Sequence, residues 1–315
     1  MTLLADDFTE IDDIKPTSPI FARHETFHPR FGWIKKGFDV VSNDQTVFLK
    51  EDAHIHLGVG KNMGHSIKYW CLAFKVLKQE TINKSATIAP SDFGKKLLAE
   101  NGYDPFLEDV ASLWLLHWKL LKPHCYATAW DYTFNQFRQV EFSSEDLLEE
   151  LSDYRNNHAS RISDSSLNKD ISCILRMYCK NNVATEFSEE TLDCPFTDLG
   201  LIQKVRNTKY YRFNIGAKPT LPAEIIMAAC FEFIGLRDNN QRSISISNLL
   251  YEPSSPGMIF KLTESVICSS IEQLGQSFNN ITLSDTAGII QLSFKEDPNV
   301  LSKQILDSYY EKKRG

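Results

Sequence analysis

One stretch restricts the fold more than any other. Leu57-Gly-Val-Gly-Lys-Asn-Met-Gly-His-Ser-Ile-Lys-Tyr-Trp-Cys-Leu-Ala-Phe-Lys-Val-Leu77 opens with a Gly-x-Gly turn at Gly58 and Gly60. Met63, Ile67, Trp70, Cys71, Phe74 and Leu77 then recur at helical spacing, which predicts a helix with one buried face. Lys61, His65, Lys68 and Lys75 fall elsewhere on the cylinder. An apolar back and a basic front is how a DNA-recognition helix is built. An ordinary surface helix with solubilising lysines has the same pattern, so the neighbouring chain must decide. Gly58-x-Gly60-Lys61 lacks the spacing and the following Ser or Thr of a Walker phosphate loop.

The neighbouring chain is basic. The 315-residue sequence carries a net charge of -7, yet residues 21–78 hold nine Lys or Arg against five acids, and five of the eight histidines. A basic end on an acidic chain predicts a confined contact with phosphate, not a general coating of nucleic acid. No apolar run approaches the ~20 residues needed to cross a bilayer. The acidic start lacks the basic flank of a signal peptide, so the expected location is cytoplasmic, with no membrane contact. The seven cysteines are scattered without a C-x-x-C pair, and they read as small buried hydrophobes.

Along the chain, residues 1–20 read as an acidic lead. Residues 21–100 read as a winged helix-turn-helix unit. Pro29 suits a first helical turn, and the spacing of Phe31, Ile34, Phe38 and Val41 carries a helix to about Ser42. A short second helix follows near residues 45–52, then the Leu57–Leu77 helix and a two-stranded ribbon. Ser91 or Asp92 caps one more helix. Residues 101–205 form a helical middle. Within it, 104–121 reads as a buried helix with His117 as a core histidine, and 153–169 as a linker. Residues 206–315 repeat the order helix, helix, helix, ribbon, with helices over 222–234 and 259–273 and a hairpin through Asp285-Thr-Ala-Gly288. The expected class is mainly α with small β hairpins, with winged-helix-like units at both ends of a helical middle.

Several segments together resemble a known family. They are Phe21-Ala-Arg-His-Glu-Thr-Phe-His-Pro-Arg-Phe-Gly-Trp-Ile-Lys-Lys, Leu57-Gly-Val-Gly-Lys-Asn-Met, Tyr103-Asp-Pro-Phe-Leu-Glu-Asp with Leu113-Trp-Leu-Leu-His-Trp, Lys218-Pro-Thr-Leu-Pro, Tyr251-Glu-Pro-Ser-Ser-Pro-Gly with Phe260-Lys-Leu, and Asp285-Thr-Ala-Gly. The chain resembles, from about Phe21 to Tyr310, the bacterial domain of unknown function 4007. That resemblance implies a subunit of an Ssp DNA phosphorothioation system, one that nicks double-stranded DNA so that sulfur can replace a backbone oxygen. It implies as partners a sulfurtransferase, an ATPase and a cysteine desulfurase. A homodimer is compatible with it. The sequence departs from the family pattern at Gly64-His65 and at Met258, and both departures remove a positive charge.

A nick needs an activated nucleophile, a base, and positive charge on the phosphoryl oxygens. Arg23-His-Glu-Thr-Phe-His-Pro-Arg is best equipped for this. His24, Glu25 and His28 are the candidate catalytic residues, and Mg or Mn the candidate metal. On a helix His24 and His28 would share a face, although Pro29 opposes a helix through His28. The alternative is a packing corner built on Phe21, Phe27, Phe31 and Trp33. His54 and His56 form a second metal-like pair that would face one side of a strand. For DNA contact the candidates are Lys61, Asn62, His65 and Lys68 on the helix front. Arg23, Arg30, Lys35, Lys36 and Lys95 are candidates for phosphate. Asn62 has the chemistry to read an adenine edge. Three readings follow: a DNA-nicking subunit, a non-catalytic DNA-binding adaptor, and a scaffold for partner subunits.

Overall fold

The computed structural model describes residues 18–82, 85–159, 161–180, 194–286 and 288–314; the acidic lead before Ser18 lies outside them. The order begins with α1 (Trp33–Asn43), α2 (Ala53–His56), α3 (Lys61–Ala73), β1 (Leu77–Ile82), β2 (Ser85–Pro90) and α4 (Asp92–Leu98). It continues with α5 (Val110–Leu121), α6 (Thr128–Asp131), β3 (Glu141–Phe142), α7 (Ser144–His158), α8 (Asp164–Tyr178), β4 (Ile202–Lys204) and β5 (Tyr211–Phe213). It ends with α9 (Ala223–Arg237), β6 (Ser243–Ser245), α10 (Ile246–Tyr251), α11 (Pro256–Phe260), α12 (Glu264–Gly275), β7 (Ile281–Thr286), β8 (Ile289–Phe294) and α13 (Pro298–Arg314). The described chain is mostly helical with small antiparallel sheets: β1-β2, β3-β5-β4 and β6-β8-β7.

The expected helix forms over Lys61–Ala73 but stops short of Leu77: Lys75 turns left-handed at φ 59°, and Leu77 begins β1 instead of ending the helix. On α3, Ile67, Trp70 and Cys71 are fully buried, and Phe74 follows at its C-cap. Gly37 lets α1 cross closely, because a Cβ there would lie 2.4 Å from the Cys71 sulfur. Ser91 caps α4 by accepting from the Gly94 amide at 2.8 Å, and its hydroxyl donates to the Lys75 carbonyl at 2.6 Å. A Cβ on Gly94 would fall 2.0 Å from the Val76 carbonyl oxygen, so only glycine fits that turn of α4. The strands β1 and β2 pair from Leu77↔Pro90 onward. Gly64 has a local reason too: its position faces His54, 3.0 Å from where a Cβ would sit, so α2 and α3 meet without a bulkier residue between them.

Several boundaries differ from the periodic reading. The first helix starts at Trp33, not Pro29, because Gly32 holds a left-handed φ of 76° just before it. Residues 45–52 split into a 3-10 turn at Val47–Leu49 and the approach to α2. The buried helix starts at Val110. Ahead of it, the Asp104 carboxylate accepts from the Glu108 and Asp109 amides at 3.0 and 2.9 Å, which closes a loop in place of a helical turn. The supposed linker of 153–169 is the end of α7 and the start of α8, capped by Ser163 on the Ser166 amide. The 259–273 helix is two helices, broken where Lys261 turns left-handed at φ 53°. α13 packs on α9 and buries Leu301, Ile305, Leu306, Tyr309 and Tyr310, which recur at helical spacing.

The buried side chains make one continuous cluster from Phe21 to Tyr310, with α5 at its centre. Eleven of the twelve α5 residues are buried. His117 is among them, as the sequence indicated. Its Nε2 donates to the Ile259 carbonyl at 3.1 Å, so its Nδ1 accepts from the Tyr178 hydroxyl at 2.8 Å. Burial pushes its pKa down to about 3. An unfolded histidine takes a proton near pH ~6.5, and the folded one resists until far lower pH. Stability is therefore lost as pH falls from about 6.5 toward 3. Replacing His117→Gln is expected to flatten the fall in urea midpoint between about pH 6.5 and 4.5; equal slopes for both proteins would assign the acid limb to other groups. No helix among the described residues is long and apolar enough to cross a membrane.

Candidate nucleic-acid interface

The segment 18–30 lies across α3, α6 and α8 as a strap. Its Ile20 amide donates to Thr128 Oγ1 at 2.8 Å, and the Ile20 carbonyl accepts from the Thr128 amide at 3.1 Å. Trp70 Nε1 holds the Phe27 carbonyl at 3.0 Å, and Arg176 holds that of Thr26 at 2.9 Å. Ala22, Glu25 and Thr26 all have positive φ, at 54°, 51° and 68°. Each such L-residue costs roughly 1–2 kcal/mol, so the turn persists because these bonds over-determine it.

The centre of the strap is His24. It is fully buried, stacked on Trp70 at 6.1 Å and edge-on to Trp130 at 5.5 Å. Its Nε2 lies 2.7 Å from Asp170 Oδ1. Asp170 is also buried, and its two oxygens accept from the Ala22 amide at 3.0 and 3.1 Å. Burial pushes the Asp170 carboxyl up, against the opposing effect of the His24 contact. His24 Nδ1 has no hydrogen-bond partner. Asp170 was not a candidate from the sequence. Its one visible signal is its place on α8 between the apolar positions Leu167, Ile171 and Ile174, where an unpaired acid is rare.

The other candidates fall in three places. Arg23 and Glu25 are exposed on the strap, whereas His28 is buried. His24 and His28 do not share a helix face, since residues 22–26 are a turn. Arg30 is half-buried, its guanidinium 5.7 Å from the Phe27 ring centre and 5.4 Å from that of Trp33. Lys61, Asn62 and His65 are exposed on the first turns of α3. Lys68 is half-buried, with Nζ 3.4 Å from the Phe48 carbonyl, and burial lowers its pKa. Thus the front of α3 is narrower than the sequence indicated. On α1, Lys36 is exposed and Lys35 bonds Asp39 at 2.6 Å. Lys95 on α4 is exposed, 3.4 Å from Asp92, and lines the same cleft as Lys35. His54 and His56 sit on the one-turn α2 and not on a strand, so they point in different directions; His56 lies 3.6 Å from Asp52.

The cysteines are free and are all buried or half-buried. Burial pushes the Cys125 and Cys194 thiols up to about 12, which keeps them protonated at neutral pH.

A family model described as a protein of unknown function, DUF4007, matches residues 21–310. A magnesium-ion-bound SspB crystal structure is 34% identical and superposes with a TM-score of 0.88, over 94% of this chain and 89% of that one. A second SspB crystal structure is 35% identical, with a TM-score of 0.87 and the same coverage. None of the curated proteins matches. The magnesium ion belongs to that relative. Among the described residues here, no three His, Cys, Asp or Glu side chains come together as a metal-holding group. Magnesium takes oxygen ligands in a near-octahedral shell, and the His24–Asp170 pair, closed on itself in the core, does not offer one. The matches extend from the strap to α13, across every candidate residue above, and the chain belongs to the DUF4007 family.

Proposed function

We propose that this protein is a DNA-engaging subunit of a bacterial DNA phosphorothioation system, and that it opens one strand of the duplex for sulfur insertion. The observation that carries the reading is the match along nearly the whole chain to SspB structures. Its partners in that system are the sulfurtransferase, the ATPase and the cysteine desulfurase. Two features of the fold support a winged-helix description. Residues 33–90 run helix, short helix, helix, ribbon. In the last third, α9, β6, α10, α12, β7 and β8 follow the winged-helix order with the short α11 inserted before α12, and the sheet order β6-β8-β7 puts the first strand beside the last. Of the two units, the 21–100 one faces DNA, because α3 presents Lys61, Asn62 and His65 whereas α12 carries Glu264 and Glu272 and no lysine or arginine.

Cutting, in this reading, belongs to the exposed side of the strap. Arg23 contacts the phosphate and Glu25 serves as the base. His24 and His28 act as positioning residues, since burial keeps them from the substrate. In this reading Mg or Mn comes with the DNA, since the described residues bring no three metal-ligating side chains together. Replacing Glu25→Gln is expected to lower the nicking rate on supercoiled plasmid by about 100-fold or more, with an unchanged melting temperature. Undiminished nicking by that variant would remove Glu25 from the chemistry. A non-catalytic adaptor remains the second reading. It is favoured by the burial of His24 and His28 and by the scattered metal-ligating residues among those described.

A further inference from the structure

A cleft of 650 Å³ opens between α1, α4, the end of β2 and the loop 103–109. Its size falls in the ~300–1,000 Å³ range of small-molecule sites. Phe106 stands at its mouth, 65% exposed. The loop that carries Phe106 is tightly held. Asp104 donates its amide to the Leu97 carbonyl at 3.0 Å, accepts from the Leu107 amide at 3.2 Å, and takes the Glu108 and Asp109 amides on its carboxylate. Leu107, at φ 56°, turns back into the core. A rigid loop therefore presents a large aromatic ring to solvent, where packing does not require one.

The groups around the ring are mixed. Lys35 Nζ sits 5.6 Å from the ring centre and 2.6 Å from Asp39 Oδ1, and Lys95, 3.4 Å from Asp92, lines the same cleft. Asp39, Gln45 and Glu100 add hydrogen-bonding groups. A nucleotide offers a flat π face, a polar base edge and a phosphate. The cleft has a counterpart to each: an aromatic platform, amide and carboxylate side chains, and two cations. An amphipathic peptide helix would instead need a row of apolar anchors. A base inside a duplex cannot reach such a cleft, so the strand that fits is unpaired.

We propose that this cleft holds one nucleotide of an unpaired DNA strand, with the base on Phe106 and its phosphate between Lys35 and Lys95. The inference rests on the DNA-engaging reading and gives it a second, strand-specific contact. The test measures fluorescence anisotropy of a labelled single-stranded dT12 and of a 12-base-pair duplex, with the full chain. Phe106→Ala is expected to weaken single-strand binding about tenfold, with Phe106→Trp and the distant Tyr251→Ala within about twofold of the parent. Duplex affinity is expected to stay within about twofold in all three. Equal single-strand binding by the parent and Phe106→Ala would overturn the cleft assignment while leaving duplex binding intact. If the parent binds neither DNA, both this inference and the DNA reading fall. Phe106-dependent binding of free dTMP, with none of dT12, would make a free nucleotide the occupant and overturn the strand.

Discussion

Asp170→Ala is expected to destabilise the protein by about 3–5 kcal/mol, the usual cost of removing one partner of a buried, hydrogen-bonded pair. Three bonds end on this carboxylate: one with His24 Nε2 and two from the Ala22 amide. Its loss leaves a buried imidazole with no partner at either nitrogen and an amide without its acceptor. At this chain length the melting temperature should fall on the order of 10 °C. Asp170→Asn, which keeps an oxygen for the Ala22 amide, should cost less. The His24→Ala variant should fall by a similar amount, and the double variant by much less than the sum, because the two groups form one unit. Cleavage by trypsin after Arg23 should speed up in all four variants as the strap loosens. A melting temperature within about 2 °C of the parent for Asp170→Ala would show that the strap is held by something else. The same result bears on the chemistry: a nicking defect in His24→Ala has to be read against its stability, whereas Glu25, being exposed, is free of that ambiguity.

The second large effect concerns DNA. Removing Lys61 and Lys68 together is expected to weaken duplex binding by about tenfold and to flatten the plot of log affinity against log salt by about one to two units. Two full units would need both lysines on phosphate. Lys61 is exposed on the first turn of α3, but Lys68 is half-buried against the Phe48 carbonyl. The single variants should therefore be unequal, with Lys61→Ala accounting for most of the change. An unchanged slope in the double variant would exclude the α3 front as the phosphate contact. A loss of affinity with no change in slope would assign these residues to packing.

The contrast between α3 and the strap explains what could be read from the chain. Helical periodicity located α3, α5 and α9 because each buries a face or a full circumference, and burial writes itself into residue spacing. The hairpins were legible from short segments and, in the second, from the Asp285-Thr-Ala-Gly288 turn between them. Helix starts were less legible. Trp33 and Val110 begin helices where a left-handed glycine and an aspartate-closed loop intervene, and both are local backbone events without a periodic trace. The tip of the basic front was visible in Lys61, Asn62 and His65, yet the inward turn of Lys68 depends on Phe48, twenty residues away. The pairing of His24 with Asp170 spans 146 residues and had no signal in either neighbourhood. Phe106 lay inside a segment that carried the family resemblance, but its exposure is a property of the folded loop.

The proposed role of this chain is to engage duplex DNA and cut one strand. It is tested most directly by incubating the purified full chain with supercoiled plasmid in Mg or Mn, and in excess chelator. The expected result is conversion to the open circle without linear product, abolished by chelator and by Glu25→Gln. A plasmid that stays supercoiled under every metal condition, while the protein still shifts duplex DNA on a gel, would contradict the cutting role and leave the adaptor in its place.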